Sequence, residues 1–85
     1  MEIVFSPESL EDLHFWKQSG NVKIQNRIIQ LLESIRENPY AGLGKPEALK
    51  HNWTGYWSRR INKEHRLIYK TENERIIIAQ LRGHY

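Results

Sequence analysis

The 85 residues predict one small α+β domain over 1–85, with an N-terminal strand and a helical hairpin packed on one face of a mainly antiparallel, twisted sheet. Three observations lead there. Apolar residues recur at helical spacing as far as Glu37. Beyond Pro46 the period changes to extended runs rich in β-branched and aromatic residues. The links between those runs are short and polar, which forces antiparallel neighbours.

Met1 to Phe5 is short and apolar and stops at Ser6-Pro7, so it reads as a strand. Ser6 is a natural N-cap, and Pro7 at the first helical position loses nothing by lacking an N–H. The helix that follows carries Leu10, Leu13 and Trp16 on one side, with Glu8, Glu11 and Asp12 near its positive end, and stops at Ser19-Gly20. A second helix runs from about Asn21 to Glu37. Its Ile24, Ile28, Leu31, Leu32 and Ile35 form one apolar stripe, and Asn38-Pro39 ends it because the residue before proline disfavours helical geometry. The short break at Gly20 folds the two helices into an antiparallel pair. Tyr40 to Pro46 is a loop by its Gly and Pro content. Trp53–Ile61, His65–Lys70 and Arg75–Leu81 then read as a three-stranded meander with turns at 62–64 and 71–74. Laying both apolar helix faces on one side of the sheet leaves its other face open.

Length and composition exclude much. A chain this short holds one core and no separate cofactor domain. With no cysteine there is no disulfide framework and no thiolate zinc site, and the four histidines show no metal-ligand spacing. The longest apolar run, Ile76 to Ala79, is far too short to span a membrane, and the N-terminus has no basic-then-apolar leader pattern, so the expected location is cytoplasmic. Charge is divided unevenly. Residues 1–43 carry four Lys or Arg against six Asp or Glu, net −2, whereas residues 44–85 carry nine against four, net +5, with three of the four histidines. A basic half rich in His and aromatics points to a polyanion, nucleic acid first; a soluble basic surface is the plainer reading of the same charge.

No Gly-rich phosphate loop, nucleophile elbow or His-Glu-x-x-His helix is present. Catalysis on so small a domain takes place on an open surface. Cleavage of RNA by its own 2′-hydroxyl fits that constraint, because the protein needs only a base, an acid for the leaving 5′ oxygen and cations for the phosphate. The basic half supplies Glu, His, Arg and Lys, although composition does not single out one of its four acids.

Four ordered segments carry more information: Gly44 to Asn52 (GKPEALKHN), Gly55 to Ile61 (GYWSRRI), Glu64 to Tyr69 (EHRLIY) and the terminal His84-Tyr85. Together they resemble the YoeB/Txe toxins of bacterial type II toxin–antitoxin pairs, within the RelE-like mRNA interferase superfamily, over essentially the whole chain. The resemblance implies a RelE-like fold and a ribosome-dependent endoribonuclease that cuts mRNA in the decoding site and inhibits translation without a cofactor or metal. By position it implies Glu47 as the general base on the 2′-hydroxyl, Arg66 as stabiliser of the pentavalent phosphate and His84 as the general acid. Tyr85 would position a substrate base, and Lys50, His51 and Arg60 would grip the backbone. The implied partners are mRNA on the bacterial ribosome, a YefM-type antitoxin, operator DNA only through the antitoxin complex, and a second copy in a homodimer, with no membrane.

Taken singly, Glu47 reads as a solvated loop carboxylate, Arg66 as a solvated strand residue and His84 as a terminal one. A non-catalytic RNA- or ribosome-binding module of the same fold, or an antitoxin-bound transcriptional co-repressor, is the alternative. His65 is expected to pack in the sheet. Of Trp53, Tyr56 and Trp57, which could stack on bases, at least one Trp is expected in the core. Gly83, lacking a Cβ, reads as a pivot for the His84-Tyr85 tail.

Overall fold

Ser6 ends one element and starts the next. In the computed structural model, which describes residues 1–83, its backbone is extended at the end of β1 (Glu2–Phe5), and its Oγ accepts the Ser9 N–H at 3.1 Å to cap α1 (Pro7–Ser19). Asn21 repeats the device for α2 (Val22–Glu37), its Oδ1 accepting the Ile24 N–H at 3.0 Å. After a long loop come β2 (Glu47–Ala48), a 3₁₀ turn (His51–Trp53), β3 (Trp57–Arg60), β4 (Arg66–Glu72) and β5 (Arg75–Gly83). The strands form one five-stranded sheet in the order β1-β5-β4-β3-β2, with β1 parallel to β5 and every other pair antiparallel. This is the α+β architecture expected: two helices on a mixed, mainly antiparallel sheet.

The stripe on α2 is buried as read, with Ile24, Ile28, Leu31 and Ile35 meeting Leu67, Tyr69, Ile76 and Ile78 of the sheet. The reading of α1 needs correction, because Leu10 is 52% exposed while Ser9 and Trp16 are buried. The cause lies at the edge of β5. β1 covers that edge only as far as Ile78, and beyond it the backbone needs other partners. α1 supplies them: the Asp12 carboxylate accepts the Leu81 N–H at 2.9 Å, and the Trp16 indole N–H donates to the Leu81 carbonyl at 2.9 Å. A helix turned to serve a strand edge with Asp12 and Trp16 turns Leu10 outward.

The meander differs from expectation in the extent of its strands. Trp53 to Tyr56 is not extended, so β3 is only Trp57–Arg60; β2 forms where a loop was read; and β4 continues to Glu72. The turn to β5 is therefore Asn73-Glu74, both left-handed (φ 52° and 61°), the geometry of a two-residue hairpin whose twist suits antiparallel strands. Register shifts in the β4–β5 pairing, between Tyr69↔Ile78, Ile68↔Gln80 and Arg66↔Gly83, place extra residues in β5 and bend it. The sheet face away from the helices is not wholly open, since Ile68, alternate to inward Leu67 and Tyr69, is also buried.

Arg59 is fully buried on the helix side. Its guanidinium donates to Tyr69 Oη (3.0 Å), Ser34 Oγ (2.9 Å) and the carbonyls of Leu43 (2.8 Å), Asn38 (2.7 Å) and Ala41 (3.1 Å). The Tyr69 hydroxyl in turn donates to the Pro39 carbonyl. One cation thus ties the end of α2, the loop after it and two strands together. That loop leads directly into Lys45 and Glu47.

Candidate active site

Strand alternation builds the site. Because Trp57, Arg59 and Ile61 face the helices, Ser58 and Arg60 face away. Arg60 pairs directly with Arg66 on β4, and Ser58 with Glu47 on β2, so all four side chains leave the same face. The loop before β2 adds Lys45. Here Gly44 has φ 86°, its carbonyl accepts the Arg60 N–H at 2.7 Å, and a Cβ on it would stand 2.7 Å from Leu31 Cδ2 and 3.2 Å from the Arg60 backbone. Only glycine lets the loop press so close to β3. Lys45 follows with φ 52°, a left-handed turn that brings its side chain to the groove.

The result is an open groove of about 510 Å³ lined by Lys45, Pro46, Glu47, Ser58, Arg60 and Arg66. Arg66 is oriented by donating to the Asn62 carbonyl at 3.2 Å, and the Asn62 side chain caps that hairpin by accepting the N–H groups of Glu64 (2.9 Å) and His65 (2.7 Å). Among the described residues the one ion pair is Lys70–Glu72 (2.9 Å), where each group favours the other's charged form. No carboxylate therefore stands within 4 Å of the groove's cations among the described residues. Three cations and one carboxylate around an open groove can bind a phosphodiester and accept a proton beside it.

Of the residues expected at the site, Glu47, Arg60 and Arg66 come together in this groove. Lys50 and His51 do not line it: both are exposed, in the turn that follows β2. His84 and Tyr85 lie outside the described residues. Lys45 and Ser58 are additions; the signal for Ser58 was strand parity with Arg60, usable only once β2 is known to pair with β3. The reading of Gly83 as a pivot is corrected. It is buried in β5 opposite Arg66, and a Cβ there would stand 2.6 Å from Ile68 Cδ1 and 2.9 Å from Gln80 Oε1. Glycine serves close packing at this point, not freedom. The aromatics also sort out: Trp57 packs on the core and beside Tyr40, Trp53 pairs edge-on with Tyr56, and His65 sits edge-on to Trp16 at 5.0 Å.

Fold and groove together define a small α+β domain with a carboxylate set among cations. The family model described as the YoeB-like toxin of bacterial type II toxin-antitoxin systems matches residues 5–85. Toxin YoeB of Escherichia coli K12 is 42% identical over 85 residues, covering 100% of both chains. The YoeB dimer from Staphylococcus aureus superposes with a TM-score of 0.91 at 46% identity, covering 100% of this chain and 98% of that one. The heterotetrameric YoeB-YefM toxin-antitoxin complex from the same organism gives 0.88 at 46% identity, with the same coverage. The chain belongs to the YoeB-like toxin family of type II toxin–antitoxin systems.

Proposed function

We propose that the chain is a metal-independent endoribonuclease that cuts mRNA in the decoding site of the translating ribosome. The observation that carries this reading is the pairing of Arg60 with Arg66 beside Glu47. Two guanidiniums held opposite one another, with no carboxylate within 4 Å among the described residues, are arranged for an anion, and a phosphodiester is the anion whose cleavage also calls for a nearby base.

In this reading Glu47 takes the proton from the 2′-hydroxyl, which attacks the adjacent phosphorus. Arg66, with Arg60 and Lys45 beside it, stabilises the extra negative charge of the pentavalent phosphate. His84 protonates the departing 5′ oxygen, leaving a 2′,3′-cyclic phosphate and a free 5′-hydroxyl. Tyr85 stacks on a substrate base, while Lys50 and His51 hold the backbone outside the groove. The nucleophile belongs to the substrate, so the chemistry calls for no covalent enzyme residue and no metal. An open groove gives a flexible RNA little orientation, which supports a role for the ribosome in holding the strand.

The partners follow from the relatives. A YefM-type antitoxin binds and neutralises this chain, a second copy forms a homodimer, and operator DNA is reached only through the antitoxin complex. The protein acts in the cytoplasm; among the described residues no helix is long and apolar enough to cross a membrane. Mapping RNA 5′ ends by primer extension on an mRNA, with and without translating ribosomes, tests the reading. Cuts inside codons that need ribosomes support it, and ribosome binding without any cut rejects it.

A further inference from the structure

The end of β5 is gripped from both edges. On one side it pairs with β4 as far as Arg66↔Gly83. On the other, where β1 no longer runs, α1 takes over: the Asp12 carboxylate accepts the Leu81 N–H and the Trp16 indole N–H donates to the Leu81 carbonyl, each at 2.9 Å. The Arg82 guanidinium lies 3.6 Å from the centre of the Phe15 ring. Trp16 also meets His65 edge-on at 5.0 Å, and His65 is the chain neighbour of Arg66. Asp12, Phe15 and Trp16 follow helical spacing, so one face of α1 reaches both the end of β5 and the hairpin that carries Arg66.

Chain ends fray unless something ties them down. The core already holds the Leu81 side chain, which is fully buried. The polar pair adds what apolar packing does not. A carboxylate and an indole N–H that engage the donor and the acceptor of one residue fix that residue along the strand axis. Gly83 fixes the same register a second way, because its place against Ile68 and Gln80 admits no Cβ. A slip of one residue would break both hydrogen bonds and push a side chain into a site that takes only glycine. His84 follows Gly83 in the chain, so whatever fixes Leu81 and Gly83 fixes the point from which His84 starts. That point is opposite Arg66, a residue of the groove.

We infer that Asp12 and Trp16 are positioning residues for the proposed general acid: by holding Leu81 in register they place the His84 imidazole where the 5′ oxygen leaves. The inference rests on the reading of His84 as the acid and adds a reason for the polar contacts of α1. Neither residue touches the substrate. They act on the chemical step by aligning acid and leaving group, and a misplacement of roughly 1 Å costs about 10² in rate.

The test is single-turnover cleavage of a ribosome-bound mRNA by the full chain on two substrates, one natural and one with sulfur in place of the bridging 5′ oxygen at the cut. The sulfur departs as a thiolate and needs no acid. The variants are D12A, D12N and W16F, with H84A as the reference. On the natural substrate D12A and W16F are expected to cut more slowly by about 10 to 10², at unchanged affinity for the ribosome. D12N, whose amide oxygen still accepts the Leu81 N–H, should recover most of the rate. On the sulfur substrate the deficits of D12A, W16F and H84A should largely disappear together. Deficits of D12A and W16F that are equal on both substrates mark general damage to the fold and overturn the inference alone, as do wild-type rates for both. If D12A does not fold, W16F decides between the same outcomes. An H84A chain that cuts the natural substrate at the wild-type rate, or whose deficit is the same on sulfur, overturns the reading of His84 as well.

Discussion

Arg60 and Arg66 face each other across β3 and β4, and among the described residues no carboxylate is within 4 Å of either. Like charges opposed in a sheet destabilise it by about 0.2–1 kcal/mol. R60Q should therefore raise the thermal midpoint slightly in chloride while weakening RNA binding and cleavage. Phosphate or sulfate should stabilise the wild-type chain more than R60Q. Thermal melts in matched chloride and phosphate buffers check this, and a lower midpoint for R60Q in both would contradict it.

Arg59 is a different matter, although it is the next residue. R59M removes five donors and leaves the carbonyls of Asn38, Ala41 and Leu43 without them. Hydrogen bonds from a charged donor are worth about 1.5–3 kcal/mol each, so across these part-buried bonds a loss of at least about 3 kcal/mol is expected. R59K, with one compact ammonium in place of a planar fork, should recover only a small part of it. Urea denaturation measures both, and R59M at wild-type stability would show that the loop from Asn38 to Gly44 is held by something else.

Gly83 and Ile68 should couple. G83A places a methyl group 2.6 Å from Ile68 Cδ1, and overpacking of this kind costs about 1–3 kcal/mol. I68V removes that Cδ1, so G83A in the I68V background should cost less than in the wild type. A double-mutant cycle of unfolding free energies reads the difference. Additive losses would mean that the strand end yields without strain.

Tyr69 sets an alkaline limit on stability. Burial pushes its hydroxyl above the ordinary 10.0, despite the opposing effect of Arg59. In the unfolded chain the phenol ionises near 10.0, whereas in the fold it stays protonated to higher pH. Its contribution is therefore whole below pH 10 and lost as pH rises toward the folded value. Y69F should be less stable at neutral pH, by about 1–2 kcal/mol for the lost hydrogen bonds, and should show a shallower decline above pH 10. Unfolding free energy against pH, wild type beside Y69F, gives the answer. Parallel curves would remove Tyr69 as the cause.

Much of this was legible in the residues. The stripe on α2 needed only a period, and Ser6-Pro7 only a cap. Arg60 and Arg66 needed only alternation along strands read correctly in type. Other features had no local signal. β2 is two residues long and exists because Glu47 and Ala48 pair with Ser58 and Trp57, a contact across a loop. Nothing in the pair Arg59-Arg60 says which one is buried; strand parity and the carbonyls of a distant loop decide it. Leu10 pointed outward because Asp12 and Trp16 were needed at the edge of β5, a requirement visible only once β1 is known to end at Phe5.

The central claim, that Glu47, Arg66 and His84 carry out RNA cleavage, is tested most directly by single-turnover cleavage of a ribosome-bound mRNA. The variants are E47Q, R66A and H84A, each with its thermal midpoint measured. Each is expected to fold and to bind ribosomes, yet to cut more slowly, by about 10² to 10⁴ for loss of the base or acid and about 10² to 10³ for loss of the charge-stabilising Arg66. Cleavage by all three at the wild-type rate would contradict the account.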